Sequence, residues 1–217
     1  MKGHLFHSRR NQVRLVRRRG EMVIRKEYRD EETLLTEQRT LLLLHSRGVD
    51  SIPRVLWRKG RCLYLNNLPG ENYAELADAA ETDAQIPLSA AMKALCDWIA
   101  RYHAMTGCLR GDVNLRNFLY DGMICRSVDF EEPLISGPVE EDLGPILAFL
   151  LTYLPALTPS KLAAGEAFLR QAAVHGTDME ALESAYLREL DAMYLRRGPD
   201  SLPILSKAKD AFRRIRP

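Results

Sequence analysis

At 217 residues the chain is long enough for one large domain or two small lobes with a sizeable buried core. A hydrophobic fraction of 46% excludes a disordered chain, and a net charge of only +2 does not demand nucleic acid as a partner. Basic residues crowd both ends, from Arg9 to Lys26 and from Arg213 to Arg216. They fit solvated strand and tail surfaces, or attraction to phosphate-bearing partners with peripheral membrane contact as one form of it. The four cysteines, Cys62, Cys96, Cys108 and Cys125, form no CxxC pair and no zinc spacing, so buried thiols in a reducing compartment are expected. No apolar segment follows the first residues as in a signal peptide. The apolar run from Ile146 to Leu157 is interrupted by Thr152, Tyr153 and Pro155 and falls short of the ~20 residues that span a bilayer. The expected location is cytoplasmic.

In chain order, Gln12 to Arg17 alternates as a strand, Arg18 to Glu21 reads as a turn, and Met22 to Tyr28 reads as the next strand. On that second strand, period-two alternation places Met22, Ile24, Lys26 and Tyr28 on an inward face and Val23, Arg25 and Glu27 outward. A helix follows from Asp30 to Ser46, capped by Asp30 or Thr33 and stopped near Gly48. Strands are predicted over Pro53 to Arg58 and Arg61 to Leu65, joined by a Lys59-Gly60 turn. Asn66-Asn67-Leu68-Pro69-Gly70 breaks the pattern, and helices dominate beyond it: Ala90 to Met105, Leu143 to Leu154, Pro159 to His175, Met179 to Leu195 and Ser206 to Ile215. The predicted organisation is α+β, with a small antiparallel-sheet lobe over 1–65, a hinge over 66–71 and a larger helical lobe over 72–217.

The informative segment is Arg110-Gly111-Asp112-Val113-Asn114-Leu115-Arg116-Asn117-Phe118-Leu119, followed by Val128-Asp129-Phe130-Glu131. Asp-x-x-x-x-Asn, an apolar pair, a short strand and then Asp-Phe resembles the active-site signature of the protein-kinase-like superfamily. With Gly111 before Asp112 and Glu131 after Asp129-Phe130, it looks most like the aminoglycoside phosphotransferase branch and its RIO-like and lipopolysaccharide-kinase relatives. The resemblance implies the bilobal kinase-like fold, ATP and Mg²⁺ as cofactors, and transfer of the γ-phosphate to a hydroxyl.

Residue by residue, the resemblance implies that Asp112 orients the acceptor hydroxyl and takes its proton. Asn117 and Asp129 would offer oxygen ligands to Mg²⁺, which prefers hard oxygen donors and keeps several waters. Arg116 would steady the transferring phosphoryl group or pair with nearby acids. Glu37 would pair with the cation that binds the phosphates. The string Met22-Val23-Ile24-Arg25 resembles the family's V-A-I-K and points to Arg25, whereas the alternation favours Lys26. Leu65, Asn66 and Asn67 fall where backbone groups would receive adenine. Ser8 and Asn11 stand where the family often has a glycine-rich phosphate loop. His103 would pack before the catalytic loop, and Asp142 would bond the loop's backbone or merely cap a helix.

Few residues separate Asp129 from the helix predicted at Leu143, too few for a peptide-docking segment. A small-molecule or glycan acceptor is therefore expected, and acids such as Glu131, Glu132, Glu140 and Glu141 would suit a cationic one or only face solvent. A pseudokinase without turnover and an atypical protein kinase are the other readings. Arg110, where the family usually has His, and the missing glycines favour the pseudokinase.

Overall fold

The structure, a computed structural model, describes residues 4–6, 11–18 and 20–217. The chain forms two compact units: Met1–Pro69 with Arg126–Leu134, and Gly70–Cys125 with Ile135–Pro217.

The first unit is built on a five-stranded antiparallel sheet. Its strands are β1 (His4–Phe6), β2 (Gln12–Arg18), β3 (Glu21–Glu27), β4 (Val55–Lys59) and β5 (Cys62–Asn66), in the order β1-β2-β3-β5-β4. Helix α1 (Glu31–Ser46) connects β3 to β4 and packs on β4 and β5. Asp30 caps it by accepting the Thr33 N–H at 2.7 Å, and Leu34, Leu41 and Leu44 form its buried stripe. Register follows from side-chain alternation: Ile24 faces Leu65 and Lys26 faces Leu63, so these share one side of the sheet. Arg25 faces Tyr64 and shares the other.

That other side is not simply outward. Val23 is 2% exposed because Cys62, Tyr64 and Val16 pack around it, and Trp57 stacks on Tyr64 at 4.5 Å. Met22, expected inward, is 42% exposed. It pairs with Arg17 on β2 but lies beyond the last residue of β3 that β5 reaches.

The second unit contains β6 (Glu71–Asn72), α2 (Tyr73–Ala79), α3 (Leu88–Thr106), β7 (Cys108–Leu109) and β8 (Phe118–Tyr120), and β9 (Cys125–Ser127) carries the chain from it back to the first unit. Then come β10 (Ile135–Ser136), α4 (Glu140–Thr152), α5 (Pro159–Val174), α6 (Met179–Arg197) and α7 (Leu202–Ile215). β6 pairs with β8 and β7 with β10, both antiparallel. Helix α3 packs on α5, and α4 packs on α6. The α4–α6 contact is close at Gly144, where an added Cβ would stand 2.5 Å from the Tyr186 nitrogen and 2.7 Å from the Ala185 carbonyl carbon. Among the described residues no helix is long and apolar enough to cross a membrane.

Three helical readings shift. Helix α2 lies where no helix was predicted; it is seven residues long, too short for a periodic signal, yet buries Tyr73, Ala74, Leu76 and Ala77. Helix α4 begins at Glu140 rather than Leu143 because its first turn is acidic, which suits a helix N-terminus but carries no apolar period. Helix α7 begins at Leu202, ahead of Ser206, with Pro203 in its first turn.

Candidate active site

In the first unit, Lys26 is the centre of a charged cluster. β3 delivers its side chain to the α1 side of the sheet, where only 5% of the residue is exposed. The ammonium lies 2.7 Å from Glu37, 2.6 Å from Asp129 and 2.7 Å from Glu131. Burial alone would drive the proton off; the three carboxylates outweigh it and hold Lys26 charged well above its ordinary range. Arg25 makes different contacts, a 2.8 Å ion pair with Glu27 and a 3.2 Å bond to the Cys62 sulfur. The cation among the carboxylates is thus Lys26.

Glu37 is fully buried on α1 and accepts from the Tyr28 hydroxyl at 2.5 Å and the Phe130 N–H at 3.1 Å. Burial, then Glu37 itself, pushes the Tyr28 phenol up, so it stays protonated as a donor. The Phe130 bond pins the chain just after Asp129, which adopts φ +68°, a left-handed conformation that Asp tolerates better than most residues. The Asp129 side chain remains 42% open to solvent, so an oxygen donor faces outward beside a buried cation. Glu131 is raised by burial, and Lys26 partly counters the shift. Asn11 is buried, donating to Glu131 at 2.5 Å and accepting the Arg29 N–H at 3.2 Å. Glu37, Asp129 and Glu131 lie close enough together to resemble a metal cluster, but the ammonium sits among all three. Of the adenine candidates, Leu65 is buried and Asn67 exposed, while Asn66 bonds Arg54 through both its backbone N–H, at 3.2 Å, and its side-chain oxygen, at 2.6 Å. Ser8 lies outside the described residues.

In the second unit, the loop from Arg110 to Asn117 is anchored from beneath. Val113, Leu115 and Phe118 are buried, Asn114 is half-buried, and Asp112 and Arg116 are exposed. Phe118 meets Trp98 edge-on at 5.7 Å, and Trp98 stacks on Tyr102 at 5.1 Å, so α3 supports the loop through an aromatic column. Arg110 is buried with its guanidinium 5.9 Å from the centre of the Phe118 ring. Gly111 adopts φ +80°, which a Cβ would disfavour. The backbone on either side of the Arg110–Gly111 bond is held by Asp142, which accepts both N–H groups at 2.6 and 3.0 Å. Asp142 lies inside the first turn of α4 after the cap residue Val139, so the N-cap reading does not apply. Burial raises its pKa, against the backbone bonds that favour the charged form. His103 bonds the Gly137 carbonyl at 2.6 Å, tying α3 to the segment before α4.

Asn117 ends a 3₁₀ turn that begins at Leu115, and its amide nitrogen donates to the Asp112 carbonyl at 3.2 Å. The amide oxygen is thereby turned away from that carbonyl, as a metal ligand would need to be. The Asp112 carboxylate is exposed and accepts the Asn114 N–H at 3.4 Å. Asn114 accepts from the Arg116 N–H and the Tyr153 hydroxyl, each at 3.0 Å. Sequence reasoning missed Tyr153, Tyr28 as a partner of Glu37, and Asn11 as a partner of Glu131. Only Tyr28 had a local signal, the inward face it shares with Lys26.

No family model matches the chain, and no curated protein matches it in sequence. Solved structures do match in shape. A gentamicin–APH(2")-IIa complex superposes with a TM-score of 0.56 at 10% identity, over 94% of this chain and 87% of that one. A streptomycin–ATP–APH(2")-IIa ternary complex superposes with a TM-score of 0.58 at 10% identity, over 99% of this chain and 92% of the other. The chain has the protein-kinase-like fold. Within the kinase-like fold, the antiparallel sheet with its helix corresponds to the smaller part and the helical unit to the larger.

Proposed function

We propose that the protein is an ATP-dependent phosphotransferase acting on a hydroxyl of a small molecule or glycan. The observation that carries this reading is Lys26 held at 2.6–2.7 Å by Glu37 and Asp129, an ammonium positioned and kept charged for a polyphosphate. The kinase-like fold and the ATP of the similar ternary complex support it. Residues 130–139 alone separate Asp129 from α4, which leaves little chain for docking a peptide and favours a small acceptor.

The resemblance nominates Asp129 and Asn117 for Mg²⁺; taken each within its own unit, the outward Asp129 carboxylate and the Asn117 amide oxygen are hard donors of the kind that the ion prefers. Bound there, the ion would neutralise charge on the phosphates. Lys26 would shift from Asp129 and Glu131 towards phosphate oxygens while keeping Glu37. Asp112 would take the proton of the acceptor hydroxyl as its oxygen forms a bond to the γ-phosphorus, the bond to the β-phosphate oxygen breaks, and ADP leaves.

The saturation of Lys26 by three carboxylates favours a second reading, a pseudokinase whose cation is already neutralised. Magnesium-dependent ADP formation from ATP separates the two. We expect turnover in the wild type and a fall of about a hundredfold or more in Asp112→Asn. Equal rates in both proteins would reject catalysis.

A further inference from the structure

Lys161 is a buried cation of the second unit that the proposed reaction does not use. It stands in the first turn of α5, where a positive charge opposes the helix dipole, and none of its side chain reaches solvent. Its ammonium donates to the carbonyl oxygens of Tyr153 at 3.0 Å and Pro155 at 2.6 Å, and it lies 3.3 Å from the Glu81 carboxylate. Glu81 also accepts the Thr158 hydroxyl at 2.8 Å, and Thr158 accepts the Lys161 N–H at 3.3 Å as the cap of α5. These bonds close around residues 153–158, the turn from α4 to α5. The turn is strained: Leu157 takes φ +58°, a left-handed conformation that a bulky side chain resists. At the start of the same turn, Tyr153 leaves α4 in an extended conformation with its ring edge-on to Phe149 at 6.0 Å. Its hydroxyl donates to the Asn114 side-chain oxygen at 3.0 Å. That oxygen also accepts the Arg116 N–H at 3.0 Å, so it joins the turn to the loop between Asp112 and Asn117.

We propose that Lys161 and Tyr153 are positioning residues of the phosphotransferase: Lys161 seats the α4–α5 turn from within, and Tyr153 carries that placement to Asn114 and so to the loop that presents Asp112. This deepens the phosphotransferase reading and rests on it. Both residues act through Asn114 rather than on the reacting atoms. Asp112 is exposed, so the direction of its carboxylate follows the backbone of its loop. A base that must meet a hydroxyl within hydrogen-bond reach loses rate when it is displaced by about an ångström.

The test uses the full chain with Tyr153→Phe, Lys161→Met and the two combined. Lys161→Met alone strips Glu81 of its cation, so a further variant, Glu81→Gln with Lys161→Met, removes both charges. Hydrogen exchange of the Arg116 backbone amide is read by NMR without nucleotide, against amides in the middle of α3, α4 and α5. We expect Arg116 to exchange about tenfold faster in every variant while the reference amides keep their rates. Because Lys161 acts through Tyr153, the combined variant should exchange no faster than Tyr153→Phe alone. In ADP formation from Mg-ATP, kcat should fall about tenfold in the same variants with the KM for ATP unchanged. Positioning is overturned by wild-type exchange at Arg116 in Tyr153→Phe or in both Lys161 variants, by additive effects of the two substitutions, or by an unchanged kcat. Faster exchange spread equally through α3, α4 and α5, the mark of a purely structural role, would overturn it too. Absence of ADP formation in the wild type, with the exchange effects intact, would count against the phosphotransferase reading and leave the tie between turn and loop standing.

Discussion

Single residues set the electrostatics of this molecule, and Asp142 shows how. It is a buried carboxylate that two backbone N–H groups alone do not fully compensate, so its pKa is raised above 3.8 in the folded chain. The folded state then binds this proton more tightly than the unfolded state does. The stability it contributes therefore falls as pH rises from 3.8 to the raised folded value, and is flat outside that window. Asp142→Asn removes the titration. Its amide also sets an N–H against one of the two backbone donors, so the variant should be less stable by about 1–3 kcal/mol. The wild-type advantage in urea denaturation should shrink as pH rises through the window. An advantage that grows with pH would mean that hydrogen bonding, not burial, governs the group. Lys26 differs because its three carboxylates outweigh its burial.

Among elements, the helices of the second unit depend on close approach as much as on apolar periodicity. Gly144 sits where α4 meets the backbone of α6, at Ala185 and Tyr186. Alanine is the better helix former by about 1 kcal/mol, so propensity predicts a gain from Gly144→Ala. Packing predicts the reverse, because a methyl group 2.5 Å from a backbone nitrogen forces the helices apart. We expect packing to win, with a loss of about 1–3 kcal/mol in chemical denaturation. A neutral or stabilised variant would show that the helices can separate at no cost. Strand β3 makes the matching point in the sheet. Its alternation correctly groups Ile24, Lys26 and Tyr28, yet both sides of the sheet bury residues, so alternation alone misjudges Val23 and Met22. The α2 helix escaped notice because a helix of two turns has no period to read.

For the whole molecule, a bound nucleotide should report on the cluster around Lys26. A ligand that binds only the folded state stabilises it by about 2.7 kcal/mol at a hundred times its dissociation constant. Mg-ATP should therefore raise the melting temperature of the wild type, chelation of Mg²⁺ should reduce the rise, and Lys26→Met should abolish it. The variant should also melt lower without ligand, since three carboxylates lose their shared counterion, a loss of about 3–5 kcal/mol for a buried pair. An equal rise in wild type and variant would remove Lys26 from the phosphate site.

Local spacing was enough to reveal the loop from Asp112 to Asn117, the Asp129-Phe130 pair, most helices and the sheet-then-helix order. Each of these is written in residues near one another in the chain, where turn chemistry and periodicity act. The partners of Lys26 are another matter. Asp129 lies 103 positions from it, and Asn11 meets Glu131 across 120. No period or spacing encodes such meetings, because they arise only when packing brings distant carboxylates around one buried charge. The same holds for Tyr153, whose hydroxyl reaches Asn114 from the end of α4 across 39 positions of chain.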